Sequence, residues 1–147
     1  MTSENLGGWI LKCNPSLTDV ADLVANGVET WCVQDNYRSA LFAAHQPVFL
    51  WITGPTGATP PPGIHAVGEI RGPAYWAAPP TTRSGGTAKY VVPLRLDFLD
   101  VPLSRTGIAT DARLATLEVL RQPHMSNPSY VTASQADALR RLLWLTT

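Results

Sequence analysis

Apolar residues recur with two different periods along the chain, and each period predicts a different kind of element. Stretches in which every second residue is apolar, bounded by Gly, Pro or Asn, predict strands. The run 48–53 is apolar, β-branched and aromatic throughout, which predicts a central strand covered on both faces. Inside the longest run, Pro93 predicts a bend. The predicted strands are residues 8–13, 28–33, 48–53, 64–70 and 90–99.

Helical spacing appears between these strands and at the end of the chain. Ser16 caps an amphipathic helix that Gly27 closes, and we expect this helix to pack on the sheet. Thr110 caps a short helical turn, and Thr132 with Gln135 forms a capping box for the final helix. The predicted helices are residues 17–26, 39–44, 111–115 and 133 to about 144, the last burying Ala136, Leu139, Leu142 and Leu143.

Three segments are too irregular for either element. Residues 54–63 contain four prolines and three glycines, so we expect an exposed connector. Residues 71–88 form a second irregular region, in which Tyr75 and Trp76 either close the core or form the rim of a pocket. Residues 122–132 are too polar for the core and too varied for a simple linker.

The element count predicts the fold class. About five or six strands, joined mostly as hairpins, and three or four short helices indicate an α+β domain built on a strongly bent sheet or partial barrel. With 147 residues and 45% hydrophobic composition, the chain can bury its own core as a single domain, residues 1–147. We expect Trp9 and Trp144 to lie in that core.

Charge narrows the range of partners. Lys+Arg and Asp+Glu are both 11, so no overall field attracts nucleic acid, and a duplex-wrapping protein is disfavoured. The equal numbers of positive and negative residues are still compatible with a local basic groove. Nine of the eleven cations are arginine, the better residue for stacking and for phosphate contact, although high-GC genomes show the same bias.

The remaining composition predicts a protein without metal or membrane anchor. Cys13 and Cys32 lack a CxxC motif or a histidine at ligand spacing, so we expect small buried hydrophobes rather than zinc ligands. The polar start of the chain and the absence of a membrane-length apolar window predict a cytoplasmic protein with reduced thiols, with no cofactor and no membrane partner.

Residues 29–42 join a strand carrying Trp31 to a polar turn. Trp31 and Cys32 point to opposite faces of an extended strand, which leaves one aromatic face beside the amide of Asn36 and its neighbours. A site for a flat polar ligand such as a nucleobase needs such a combination. Two simpler interpretations compete: Trp31 packs in the core, and Asn36 bonds its own backbone in an Asx turn.

The order of the motifs resembles the EVE domain, a member of the PUA-like barrel superfamily related to the YTH domain. The resemblance covers nearly the whole chain, and it lies in the ordered set rather than in any single motif. The set comprises Trp9 and Ile10, Trp31 with Asn36 and Tyr37, Trp51 and Thr53, Gly63 and Ile64, Gly68 and Glu69, and Leu120, Arg121 and Gln122, followed by a Ser-containing turn and a terminal helix.

The resemblance implies a pseudo-barrel with a pocket for a base, plain or modified, in RNA or in flipped or single-stranded DNA, without catalysis. The matching positions are Trp31, Asn36, Tyr37, Trp51, Thr53, Ser126 and Asn127. From the turn itself we add Ser39 as a hydroxyl donor and Arg38 as a cation for the flanking phosphate, a role that Lys12 and Arg71 can share. The expected partner is therefore a nucleic acid.

Two departures from the family pattern concern the ligand. After the Asn-Tyr pair the family commonly continues Gln-Ala-Arg-Asn, whereas this chain has Arg-Ser-Ala-Leu at residues 38–41. The late segment is one residue longer than the family pattern, which leaves its pocket residue open among Ser126, Asn127 and Ser129. Both departures leave room for a ligand different from that of other members.

Other function classes are less well supported. Histidines, cysteines and aspartates are present, but no nucleophile elbow, phosphate loop, metal-binding helix or paired-carboxylate motif accompanies them, so we do not expect an enzyme. His124 is the one histidine near the predicted pocket turn. The main alternative is a PUA-like module that binds a free nucleotide-like metabolite or a protein partner.

Overall fold

A computed structural model describes residues 5–77 and 88–146. The strands are β1 Leu6–Cys13, β2 Thr30–Cys32, β3 Pro47–Ile52, β4 Gly63–Ile70, β5 Tyr75–Ala77, β6 Lys89–Ser104 and β7 Ser129–Thr132. The helices are α1 Val20–Asn26, α2 Arg105–Ala109, α3 Glu118–Arg121 and α4 Ala133–Thr146, with a 3-10 helix at Ser39–Leu41. Among the described residues the strands form one mixed sheet in the order β2-β6-β4-β3-β1-β7, with β5 also paired to β6.

The predicted central strand is confirmed in β3. It pairs with β1 in parallel and with β4 antiparallel, which also confirms the predicted hairpin. Leu50 and Ile52 on one face and Phe49 and Trp51 on the other are all buried. Burying each large apolar side chain stabilises the fold by about 1.5–3 kcal/mol, so this strand anchors the packing on both sides of the sheet.

A bulge in β4 changes which side chains share a face. In a regular strand, Ile64 and Ala66 would lie on the same side of the sheet, as the alternation of the predicted strand 64–70 implies, but the pairing register shifts between them. Ile64 consequently packs with Trp51, whereas Ala66 packs with Leu50 on the opposite face. An inserted residue reverses the alternation beyond it, which is why periodicity alone gave the wrong faces.

The predicted start of the first helix is wrong. Asp19 caps α1, because its side chain accepts a hydrogen bond from the Asp22 amide at 3.3 Å. Ser16 instead belongs to the preceding turn, and Leu17 is exposed. No residue of α1 is fully buried, and the half-buried Val20 and Leu23 pack against the core.

The predicted helical turn at residues 111–115 is confirmed, because the Leu114 and Ala115 amides both donate to the Asp111 carbonyl at 2.9 Å, but its predicted cap, Thr110, is wrong. The regular helix, α2, lies earlier, where the Ser104 hydroxyl accepts a hydrogen bond from the Gly107 amide at 3.0 Å. Thr110 therefore ends a helix rather than beginning one. Asp111 accepts from the Arg113 amide at 2.9 Å, and this local bond favours a turn over a continued helix.

The end of the chain combines a confirmed prediction with two corrections. Thr132 and Gln135 make the reciprocal bonds of a capping box, at 3.0 and 3.2 Å, and α4 packs its Ala136 and Leu139 into the core. Trp144 on the same helix is 81% exposed, so its predicted place in the core is wrong. The segment 122–132 was judged too polar for the core, but it ends in β7, whose alternate residues are fully buried.

Of the remaining residues that were predicted to lie in the core, some are buried and others are exposed. Trp9 and Cys13 are buried, as expected, whereas Cys32 is exposed. Tyr75 and Trp76 lie on β5, both exposed, so they do not close the core. Residues 78–87 of the second irregular region lie outside the described residues. None of the described helices combines the length and the apolar character needed to cross a membrane.

Candidate functional site

Two clefts open beside the end of β1, and Lys12 and Asn14 line both of them. We call them the Trp31 cleft, of about 380 Å³, and the Trp51 cleft, of about 700 Å³. The Trp31 cleft is lined by Lys12, Cys13, Asn14, Leu17, Thr18, Thr30, Trp31, Cys32 and Asn127. The Trp51 cleft is lined by Lys12, Asn14, Trp51, Thr53, Gly54, Arg105, Val119, Leu120, Pro123 and His124.

The Trp31 cleft presents an aromatic face. Trp31 lies on β2, the outermost strand of the sheet, and pairs with Val92 of β6. Its indole is half-buried, so one part packs against the core while another part lines the cleft. An aromatic group held in this way offers a stacking surface of fixed orientation.

Polar groups around Trp31 are partly committed to the fold. Asn127 accepts from the Lys12 amide at 2.7 Å and donates to the Lys12 carbonyl at 3.0 Å, so its carboxamide extends the strand pairing of β1. Asn14 accepts from the Ser16 amide at 2.9 Å through Oδ1, which leaves its NH₂ group to donate. Thr18 and Thr30, each with a hydroxyl group, also line the cleft.

The Cys13 thiol forms part of the same wall. Burial raises the pKa of Cys13, and a hydrogen bond with Thr18 offsets only part of that effect. The thiol therefore stays neutral at neutral pH and behaves as an apolar surface rather than as a nucleophile. Among residues 5–77 and 88–146, no group of three or more His, Cys, Asp or Glu side chains is placed to hold a metal ion.

The Trp51 cleft has a different character. Trp51 is only 3% exposed, so it contributes an edge of the core rather than a stacking face, and Val119 and Leu120 add an apolar wall. Lys12 and Arg105 place two cationic side chains in the cleft, and no carboxylate is among its lining residues. The cleft is therefore suited to an anion bound at an apolar surface.

Hydrogen bonds to neutral acceptors hold both cations in place. Lys12 Nζ donates to the Pro123 carbonyl at 3.0 Å and also to the Met125 carbonyl. Arg105 donates to the Gly54 carbonyl at 2.7 Å and to the Thr56 hydroxyl at 3.1 Å. Burial lowers the pKa of Lys12, and the nearby charge of Glu118 opposes this in part.

The polar turn after β2 is closed on itself. Asn36 Oδ1 accepts from the amides of Arg38 at 2.9 Å and Ser39 at 3.2 Å. The Ser39 hydroxyl in turn donates to the Asn36 carbonyl at 2.9 Å and accepts from the Asn36 amide at 3.0 Å. Neither residue lines the two clefts. The geometry supports the Asx interpretation: the side chains of Asn36 and Ser39 form hydrogen bonds within the turn instead of lining a cleft.

Arg38 and Tyr37, also predicted as site residues, line neither cleft. Arg38 pairs with Glu118, donating from Nη2 to Oε2 at 2.7 Å and from Nη1 to Oε1, in a contact where the two side chains are 13% and 11% exposed. A guanidinium engaged in this way is not available for a phosphate. Tyr37 is exposed, with the Arg38 guanidinium 5.8 Å from its ring centre.

The Arg38–Glu118 pair joins the turn to the wall of the Trp51 cleft. Glu118 begins α3 and also accepts from the Tyr130 amide at 2.8 Å. Burial favours a higher pKa for Glu118, but the hydrogen bonds from Arg38 and Tyr130, with the charges of Arg38 and Arg121, outweigh it and lower the pKa. The hydrogen bonds that Arg38 donates to Glu118 raise the pKa of Arg38. Both groups are therefore charged at neutral pH.

The three candidate pocket residues of the late turn lie in different environments. Ser126 is exposed and lines neither cleft, whereas Asn127 lines the Trp31 cleft. Ser129 is fully buried on β7, and its hydroxyl has no hydrogen-bond partner among the described residues. Of the nine predicted site residues, Trp31 and Asn127 share one cleft, while Trp51 and Thr53 line the other. The two tryptophans thus do not face each other across one pocket.

Several lining residues were missed in the sequence. Asn14 directly follows β1, and a polar residue in that position was a usable signal for a site at that edge of the sheet. Thr18 and Thr30 carry no such signal. Arg105 reaches the Trp51 cleft through bonds to residues about fifty positions away, which spacing does not encode. His124, singled out from the sequence, does line the Trp51 cleft.

Comparison with known proteins identifies the fold. No protein-family model matches the chain, and a search of curated proteins also finds no match. Solved structures do match along most of the chain. A hypothetical protein from Leishmania major superposes with a TM-score of 0.69 at 17% identity, covering 96% of both chains. A protein from Rhodopseudomonas palustris superposes with a TM-score of 0.63 at 22% identity, covering 90% of both chains.

A third similar structure contains a bound partner. Human THYN1, solved in complex with DNA containing 5-methylcytosine, superposes with a TM-score of 0.64 at 15% identity, covering 92% of this chain and 96% of that one. At these identities the likeness shows the fold. The predicted α+β, PUA-like pseudo-barrel is confirmed, with seven strands rather than five or six among the described residues.

Proposed function

We propose that this protein is a non-catalytic nucleic-acid-binding module that recognises one base, plain or modified, of RNA or of flipped or single-stranded DNA. The base would occupy the Trp31 cleft. The observation that carries this proposal is the half-buried Trp31 indole beside the amide of Asn14 and the hydroxyls of Thr18 and Thr30. A cleft of about 380 Å³ suits a ligand of one-base size rather than a helix or a strand.

Three physical arguments support a base as the ligand. Stacking on a tryptophan contributes about 1–3 kcal/mol per base and is available to every base, because every base has a π-face. The free NH₂ of Asn14 can donate to an acceptor on the base edge. The walls formed by Cys13 and Leu17 are uncharged, which suits a flat neutral ring. The similar human THYN1 structure, with its DNA containing 5-methylcytosine, supports nucleic acid as the class of partner.

The direct test is a binding panel with plain and modified single-stranded RNA, single-stranded DNA, duplex DNA and free nucleosides. We expect the wild type to bind a strand containing its preferred base more tightly than the free nucleoside. Replacing Trp31→Ala removes the stacking surface and should weaken binding roughly 5- to 150-fold. Trp31→Phe should retain most of the affinity, because phenylalanine still stacks. Trp144→Ala, which removes an exposed tryptophan on α4, is the matched control.

The panel also separates the alternatives. Binding of free nucleosides without binding of any strand would replace the nucleic-acid proposal with a metabolite-binding module. Unchanged affinity in a folded Trp31→Ala protein would show that the base does not bind in the Trp31 cleft. Release of a chemically altered base, detected by mass spectrometry of the recovered oligonucleotide, would contradict the proposed absence of catalysis.

A further inference from the structure

We propose that the Trp51 cleft is a phosphate site, in which Arg105 and Lys12 bind the anion beside the base pocket. The site itself follows from the cleft, and only the source of the phosphate, the backbone of the strand whose base enters the Trp31 cleft, rests on the proposed function. Neither the turn nor Arg38 supplies this cation, because Arg38 is neutralised by Glu118.

Arg105 is placed as an anion-binding residue. It is half-buried at the start of α2, and two hydrogen bonds fix its guanidinium to the connector between β3 and β4, at Gly54 and Thr56. Both acceptors are uncharged, and no carboxylate pairs with Arg105 within the described part of the chain. The guanidinium has five N–H donors, so donors remain for a ligand whose arrival requires little further ordering of the side chain.

Lys12 complements Arg105 from β1. It lies opposite Trp51 in the parallel pairing of β1 and β3, and its ammonium group is held by the carbonyls of Pro123 and Met125. The hydrogen-bond partners of the ammonium group are neutral, and the nearby carboxylate of Glu118 is itself paired with Arg38. A phosphate oxygen would therefore be a direct anionic partner for Lys12.

The surroundings strengthen the attraction. Val119, Leu120 and the edge of Trp51 give the cleft an apolar side, and charges interact more strongly beside a surface of low dielectric constant than in water. Glu118, the acidic residue on α3 next to Val119, has its carboxylate paired with Arg38. The local charge of the lining residues is therefore positive although the whole chain is formally neutral.

The two clefts adjoin, which connects the phosphate to the base. Lys12 and Asn14 line both clefts, and the Lys12 backbone is bonded to Asn127 in the Trp31 cleft while its ammonium group belongs to the Trp51 cleft. The Trp51 cleft, at about 700 Å³, has room for a sugar as well as a phosphate. A base in one cleft and its flanking backbone in the other use both surfaces at once.

The test compares Arg105→Gln with Arg140→Gln, an equal change of charge at an exposed position of α4 that lines neither cleft. We expect Arg105→Gln to leave free-nucleoside affinity within roughly twofold while weakening oligonucleotide binding, and to reduce the slope of log K against log salt by about 0.7, the value for one phosphate contact on a single strand. Arg105→Lys should restore part of both effects. Arg140→Gln should match the wild type.

A second measurement tests the phosphate site with a ligand that contains no base. Inorganic pyrophosphate is titrated into the wild type and Arg105→Gln, and the NMR signals of the Arg105 side chain and His124 ring are followed. Saturable shifts in the wild type that vanish from His124 in Arg105→Gln support the site, even if no oligonucleotide binds and the proposed function fails. If oligonucleotides bind and the salt slope is unchanged in Arg105→Gln, the backbone source is refuted. If pyrophosphate also causes no shifts, the phosphate site is overturned.

Discussion

The Trp31 and Trp51 clefts meet at the same residues of β1, yet their tryptophans have opposite roles. Trp31 lies on the outermost strand, which has a neighbour on one side only, and its indole is half-buried. Trp51 lies on β3, between β1 and β4, and is 3% exposed. A tryptophan in the middle of a sheet is enclosed by its neighbours, whereas one at the edge keeps a surface for a ligand. Position in the sheet, rather than residue type, distinguishes a stacking surface from core.

Charge provides the second contrast. The Trp31 cleft offers amide, hydroxyl and thiol groups around an aromatic ring, with Lys12 entering mainly through its backbone. The Trp51 cleft places the cationic groups of Lys12 and Arg105 beside apolar side chains. Directional neutral groups discriminate among bases, while cations attract any phosphate. In the complex that we propose, the Trp31 cleft would recognise the base and the Trp51 cleft would attract the phosphate.

The largest expected effect concerns stability. Trp51→Ala removes a side chain enclosed in the core and should lower the free energy of unfolding by about 3–5 kcal/mol. Trp31→Ala removes a half-buried side chain and should cost clearly less. Urea denaturation of the two variants measures the difference. Equal losses would place Trp31 in the core and remove the basis for treating its cleft as the base pocket.

The next effect concerns the ion pair behind the Trp51 cleft. Glu118→Gln should lower the free energy of unfolding by about 2–3 kcal/mol at neutral pH, because Arg38 loses a largely buried charged partner. The folded-state pKa of Glu118 is lowered from its ordinary value of 4.5, so its charge contributes fully above that pH. This contribution is lost as the pH falls through the lowered pKa. The stabilities of the wild type and Glu118→Gln should therefore begin to converge as the pH falls below 4.5, and should become equal only below the lowered pKa.

Denaturation curves collected from pH 3 to pH 7 test this dependence. Asp111→Asn, which disrupts the more exposed pair of Asp111 with Arg113, is the control and should change stability little. A constant difference between wild type and Glu118→Gln across the whole range would mean that the carboxylate charge does not stabilise the fold.

The smallest effect compares two asparagines. Asn36→Ala removes the acceptor that orders the turn and should cost about 1 kcal/mol of stability while leaving affinity unchanged for every base. Asn14→Ala should instead weaken binding and alter the preference among bases, because Asn14 lines the Trp31 cleft and loses the NH₂ group that we expect to donate to the base. Isothermal titration calorimetry with a set of bases separates the two. A change of base preference in Asn36→Ala would show that the turn containing Asn36 contacts the base.

Local patterns in the sequence were sufficient for the framework of the fold. The continuous apolar run predicted β3, the Thr132 and Gln135 pair predicted the start of α4, and the element count predicted an α+β domain on a strongly bent sheet or partial barrel. These features depend on interactions among neighbouring residues, so periodicity and capping residues encode them. The same reasoning failed at the β4 bulge, where one inserted residue reverses the alternation.

The composition of the two clefts was decided by the tertiary structure. Arg38 is bonded to a carboxylate 80 positions away, and Asn127 is bonded to the backbone of a residue 115 positions away. Either side chain, considered in its own segment, has polar groups available for a ligand. Whether those groups are free depends on which distant strand or helix folds against them. The sequence by itself determined the strands and their order of motifs, and the long-range contacts determined which tryptophan and which cations remain for a ligand.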